Sequence, residues 1–278
     1  MSGLPGRTPR ERAAELIRQR VAGWTGLPTA DDLNSILRIA AMWRSNALAQ
    51  TFIARTGGTT IAGGPFEGMI YSATATEGAL VARLLGVYES GLHPHIEAFA
   101  SGGVDCVIDV GCAEGYYAVG LARRIPGATV YAHDVLESAR TACAAMAAAN
   151  GVADRVIVGG EFSPEDFQRF AGRRALVVVD AEGAEVDILD PARGPALAGM
   201  SIIVETHDVF RPGTLDTLVA RFAPTHDIRR VDQALEGYEA PWWVKEMSEL
   251  DQLLTVWEWR LRPTPWLMMR PKAPPVGV

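Results

Sequence analysis

Apolar residues along the chain change period several times, and each change marks an element. Between residues 11 and 21, Ala14, Ile17 and Val21 share one helical face. Leu33, Ile36, Leu37, Ala40, Trp43 and Ala47 then recur at helical spacing, which predicts a long helix over 32–54 capped by Asp31. Residues 56–76 break the pattern. Two Gly-Gly pairs and a proline interrupt β-prone residues, the mark of a hairpin or mobile flap. Its Phe66, Met69 and Tyr71 either touch a bound molecule or pin the loop to the body. Residues 77–85 and 88–99 read as helices again.

From residue 104 the period alternates. The stretch 104–120, VDCVIDVGCAEGYYAVG, is an apolar run, a turn of small residues and a helix start. Further strands are predicted at 129–134, 155–159, 175–180, 201–208, 227–232 and 266–270. Helices are predicted at 138–149, from the capping box Ser163–Pro164–Glu165–Asp166 onward, and at 214–222. Strand–helix alternation with a continuous apolar run at 175–179 implies a doubly wound, mostly parallel α/β sheet. Two units are expected: a helical and flap extension over 1–100, covering a pocket or pairing subunits as a homodimer, and a core over 101–278. Between the last two strands, 233–265 carries Trp242, Trp243, Trp257 and Trp259, too aromatic for a plain loop.

Composition narrows the classes. The 278 residues are 48% hydrophobic and 21% charged, enough for a substantial core. A net charge of −7 disfavours a nucleic-acid backbone as the main partner. Cys106, Cys112 and Cys143 make no disulfide framework and read as small buried residues. No apolar run reaches membrane-spanning length, and the first residues lack a leader's apolar core, so a cytoplasmic protein without a membrane partner is expected.

The chemistry starts at the turn after the first strand. Its pattern is D-x-G-x-A-x-G, with Asp109 ahead of Gly111, Ala113 and Gly115. A nicotinamide fingerprint, G-x-G-x-x-G with a later acid, is not met. S-adenosylmethionine (SAM) fits better: it has no pyrophosphate, and an acid at a strand end beside bare backbone can organise its ammonium. Asp134, at the tip of the next strand, can accept from both ribose hydroxyls. Phe162 either stacks on adenine or anchors its loop. His93 and His95 flank Pro94 without an acid at ligand spacing, and surface histidines are the simpler reading.

VIDVGCAEGYY resembles motif I of class I SAM-dependent methyltransferases. More closely, VYESGL, VIDVGCAEGYYAVGLA, YAHDVLESAR, VVVDAEGAEVDIL and IIVETHD, in this order over 87–208, resemble the FkbM-type methyltransferase family. The resemblance implies a Rossmann-like seven-stranded sheet of order 3-2-1-4-5-7-6. It also implies cofactor contacts from Glu89, Asp109, Gly111, Ala113, Gly115, Tyr116, Asp134, Phe162 and Asp180. The chain departs from the common form at Cys112–Ala113–Glu114 and in carrying Asp134 where many relatives have Glu.

In such a sheet Asp180, Glu182, Glu205, His207 and Asp208 meet at neighbouring strand ends. His207 is the expected general base for a hydroxyl acceptor, with Glu205 on the same strand face to orient it and Asp180 beside it. The rival chemistry is a Mg²⁺ ion held by Asp180, Glu182 and Asp208. Glu185 reads as a helix N-terminal acid. The function expected is O-methylation of a small-molecule hydroxyl on a sugar or natural-product scaffold. Carbon or nitrogen methylation and a non-catalytic SAM-binding module are the alternatives.

Overall fold

A computed structural model describes residues 8–72, 78–235 and 238–272. Residues 1–7 lie outside these, as do residues 73–77 of the expected flap and following helix.

Seven strands form one sheet: β1 (Cys106–Val110), β2 (Thr129–His133), β3 (Val156–Gly159), β4 (Ala175–Val179), β5 (Ser201–Glu205), β6 (His226–Val231) and β7 (Trp266–Pro271). Their order is β3-β2-β1-β4-β5-β7-β6, as the resemblance implies. All neighbours pair in parallel except β7, which runs antiparallel to β5 and β6. The central strands β1 and β4 are buried along their whole length, which is why β4 reads as an unbroken apolar run and β1 as one interrupted only by Asp109. Strand alternation sends their side chains to two cores. Val107, Leu176, Val178 and Ile203 enter one, and Ile108, Val177, Ile202 and Val204 the other.

Helices α1 (Pro9–Ala22) and α2 (Ala30–Thr56) precede the sheet. Thr29, not Asp31, caps α2: its hydroxyl accepts from Asp32 N–H, and Asp32 reciprocates. The segment expected to be a hairpin or flap is packed down. Ile61, Phe66, Met69 and Tyr71 are buried, with a Thr60–Ile70 bridge closing the loop. Phe66 meets Tyr116 edge-on at 5.1 Å and lies so close to Gly120 that a Cβ there would sit 2.6 Å from its ring. These aromatics therefore pin the loop.

Short α3 (Leu80–Leu85) follows, starting three residues later than the pattern suggests. The helix expected over 88–99 is instead a 3₁₀ turn, Ser90–Leu92, leading into α4 (His93–Ser101). Glu89 breaks it by adopting a left-handed conformation, φ 51°. His93 binds the Tyr88 carbonyl at 3.1 Å. The sheet's crossovers use α5 (Tyr116–Arg124), α6 (Glu137–Ala149), α7 (Glu185–Ile188) and α8 (Thr214–Phe222). The three cysteines are buried and free. No helix among the described residues is long and apolar enough to cross a membrane.

The Trp-rich insertion carries α9 (Trp242–Lys245) and α10 (Glu249–Thr255) and docks on α2. Arg44 grips Asp251 through two 2.7 Å bonds, Arg38 donates to the carbonyls of Trp259 and Arg260, and Trp243 packs edge-on against Phe52. The insertion's Arg260 and Thr264 reach Glu205 at the carboxyl end of β5.

Candidate functional site

In an open α/β sheet the crevice lies beyond the carboxyl ends of the strands, where the strand order reverses. Here that point falls between β1 and β4. Gly111 turns there with φ +85°, and a Cβ on it would lie 1.8 Å from the Asp180 carbonyl oxygen. Only glycine lets the two strand ends approach so closely. Gly115 (φ +97°) starts α5 against Cys143. Ala113, between them, is also left-handed at φ 46°, and its N–H donates to Asp134 at 3.0 Å.

Asp134 is half-buried at the tip of β2 and also accepts from Leu136 N–H. Its neighbours Val135 and Leu136 are 72% and 62% exposed, an apolar step beside the turn. Asp109 is buried, and its Oδ2 has no hydrogen-bond partner. Burial pushes its carboxyl up to about 7, with the Ala118 N–H pulling the other way and the Asp134 charge adding to the rise.

Three expected cofactor residues face elsewhere. Phe162 is buried between His133 and Phe167, both 4.8 Å away edge-on, so packing supports its anchoring role. Tyr116 is buried among Phe66, Tyr71, Tyr88 and Tyr117. Glu89 is buried and accepts from the Tyr117 hydroxyl and the Arg260 guanidinium.

Across the crevice, the segments after β4 and β5 converge on His207, whose side chain is only 5% exposed. Its Nδ1 lies 2.7 Å from Glu185 Oε1. Glu185 is fully buried at the first turn of α7, and the N–H groups of Gly183 and Ala181 also donate to it. Burial pushes the Glu185 carboxyl up, but the His207 ring and the Gly183 N–H outweigh it, and the group lies below its ordinary value. Burial likewise lowers His207. The Glu185 bond and the charges of Asp180 and Glu182 outweigh it, so the imidazole is raised. With Nδ1–H committed to Glu185, a neutral ring carries its lone pair on Nε2. That nitrogen faces Asp180 at 3.7 Å and Glu182 and Glu205 at 3.6 Å, beyond hydrogen-bond reach.

The acid hydrogen-bonded to His207 is therefore Glu185, where the sequence pointed to Glu205. Glu205 belongs to another group: its Oε1 accepts from Thr264 at 2.5 Å and pairs with Arg260. Asp208 is turned away and accepts from the N–H groups of Gly213 and Leu215 at the start of α8. It does not join the Asp180 and Glu182 carboxylates. Among the described residues, the side chains with ligand atoms within 4.8 Å of one another are Asp180, Glu205 and His207.

Nε2 opens on a pocket of about 150 Å³. Tyr88, Phe210 and Trp259 give it aromatic walls, and Glu182, Glu205, Glu258, Arg83, Arg260 and Arg262 its charges. Arg260 comes from the insertion and bridges three carboxylates, Glu89, Glu205 and Glu258. Arg83 pairs with Glu114 of the turn and Tyr71 of the pinned loop, and lies 4.3 Å from the Tyr88 ring centre. The non-glycine residues with positive φ among those described are Ala79, Glu89, Ala113, Glu182 and Trp259. Three of them line this pocket, and the other two stand at expected cofactor positions. Such strain clusters at sites the surrounding structure over-determines.

No protein-family model matches the chain, and no curated protein matches it in sequence. Solved structures resemble it in fold. One is a putative O-methyltransferase from Klebsiella pneumoniae, 11% identical, covering 95% of this chain and 97% of that one with a TM-score of 0.45. Another is the O-methyltransferase TomG from Streptomyces achromogenes bound to SAM, 13% identical, covering 65% and 81% with a TM-score of 0.43. A third is the O-methyltransferase from Bacillus cereus in complex with S-adenosylhomocysteine, 11% identical, covering 94% and 99% with a TM-score of 0.43.

Proposed function

We propose that this chain is a SAM-dependent methyltransferase that methylates a hydroxyl of a small molecule, with His207 as general base. The observation that carries the reading is the Glu185–His207 pair. It holds a histidine with its Nε2 open to a pocket, one strand away from a glycine turn suited to SAM. The residues fit that group. Gly111 and Gly115 leave the backbone bare, Asp134 offers carboxylate oxygens to ribose hydroxyls, and Val135 and Leu136 offer an apolar face to adenine. The buried, unpartnered Oδ2 of Asp109 is an acceptor in want of a donor, which supports the expectation that this acid organises an ammonium.

Bound SAM supplies a methyl group activated by its sulfonium. The chain's own residues do the rest. The pocket walls align an acceptor oxygen, and the neutral His207 takes its proton on Nε2 as the oxygen attacks. Glu185 fixes the ring's tautomer and stabilises the imidazolium that results. Because His207 is raised, activity should be low where the ring is protonated and should climb with pH above its ordinary range.

Calorimetric titration with S-adenosylhomocysteine tests the cofactor, and turnover of hydroxyl acceptors by His207→Ala tests the base. Unaltered turnover would overturn His207's role. Metal assistance is the second reading, favoured by the Asp180, Glu205 and His207 cluster in place of the set including Asp208. Loss of turnover in EDTA, restored by Mg²⁺, would select it.

A further inference from the structure

The pocket beside His207 is over-supplied with negative charge. Arg260 serves Glu89, Glu205 and Glu258 at once, and Arg83 is spent on Glu114. His207 is shared among Asp180, Glu182, Glu185 and Glu205. Besides Glu182, whose side chain is half exposed, this contact network holds six carboxylates against three cationic side chains, the third being His207 when protonated. Arg262 lies exposed at the rim, where water screens it. The ammonium of SAM is assigned to Asp109, outside this network, so the cofactor leaves the excess in place. Burial and the Glu89 charge push the Glu258 carboxyl up to about 7, and buried charge left uncompensated is costly, so the network calls for a cation.

A second observation points to the same ligand. The 95%-buried His207 aims Nε2 into these carboxylates without a hydrogen bond, and the space in front of it is walled by Tyr88, Phe210 and Trp259. Carboxylates backed by aromatic faces form the environment that recognises an organic ammonium. Trp259 is held rigidly for this. Its backbone is left-handed at φ 66°, and Gly78 lies against its ring so tightly that a Cβ would come within 2.1 Å.

We infer that the acceptor is a small molecule carrying a protonated amine, held between the carboxylates of Glu182, Glu205 and Glu258 and the aromatic walls of Trp259 and Phe210. This rests on the methyltransferase reading above and adds the charge class of the acceptor. A neutral or anionic scaffold would leave the carboxylate excess in place.

The test uses the full chain saturated with S-adenosylhomocysteine in EDTA near pH 7.5, titrated with three probes of one shape: benzylamine (protonated), benzyl alcohol and benzoate. Ligand-observed NMR reads their affinities. Benzylammonium is expected to bind about tenfold or more tighter than benzyl alcohol, with benzoate weakest. The preference should shrink in Glu182→Gln, whose exposed side chain makes misfolding no issue, and in Glu258→Gln. Equal affinities, or benzoate binding tightest, overturn the inference. So does displacement of benzylammonium by Mg²⁺ added in excess of the EDTA, because a metal would then be the missing cation. Failure of S-adenosylhomocysteine to bind would defeat the methyltransferase reading itself. Binding of it without any amine preference would defeat only this inference.

Discussion

At the residue scale, the proposed site turns on His207, whose Nδ1 is bound to Glu185 and whose Nε2 faces Asp180, Glu182 and Glu205 beyond hydrogen-bond reach. His207→Ala should lower turnover by roughly 10²-fold or more while leaving S-adenosylhomocysteine affinity intact, since the role proposed for Nε2 is to take the acceptor's proton. Glu185→Gln tests the orienting role. The amide keeps a hydrogen bond to Nδ1 but removes the charge that raises the imidazole. The ascending limb of the pH–rate profile should move to lower pH, with a lower plateau. An unmoved limb would mean that Glu185 only packs. Asp109 makes a separate prediction. Its carboxyl is raised to about 7 when folded, so between its ordinary range and about 7 the folded state holds a proton that the unfolded chain has lost. Stability contributed by this group therefore falls as pH rises through that window. Asp109→Asn should be more stable than the parent at pH 8 by ~2–4 kcal/mol, and nearly equal at pH 4, as thermal melts at the two values would reveal. The same variant should bind SAM more weakly.

At the element scale, strand ends do the assembling. β4 and β5 stop at Val179 and Glu205, short of the 180 and 208 that the apolar pattern suggested. The residues after them are loops, free to curl together around His207. Gly111→Ala would drive a methyl group into the Asp180 carbonyl, separating these ends. It should abolish cofactor binding and lower the melting temperature together. The insertion is the other decisive element. Arg260 from it compensates the buried Glu89 and Glu205 of the core, so Arg260→Met should cost ~3–5 kcal/mol of stability in denaturant titration. A smaller loss would mean that the carboxylates relax into water.

For the whole molecule, stability concentrates in the sheet and in the lobe that α2 forms with the insertion. Helix α1 has no buried residue, and only the second half of α2 reaches the core, through Ser45, Leu48, Ala49 and Phe52. Deleting residues 1–28 should leave the cofactor affinity unchanged and shift the melting temperature by only about 2–4 °C. A collapse of the fold would assign α1 a part in it that its exposure does not suggest.

The sequence by itself determined the sheet's strands and their α/β alternation, because central parallel strands are buried on both faces and so are apolar but for Asp109. It also determined the turn at Gly111, where close backbone approach admits one residue type. It placed His207 at a strand end for the same reason. What only the tertiary structure decided is partnership. Glu185 and Glu205 are both acids near strand ends, and nothing local says which reaches His207. That depends on α7 directing one inward while Arg260, 55 positions after Glu205, claims the other. The same holds for Phe162, buried rather than open, and for Asp208, spent on capping α8. Long-range packing selects among chemically equivalent side chains, and a linear pattern carries periodicity and local conformation but not that choice.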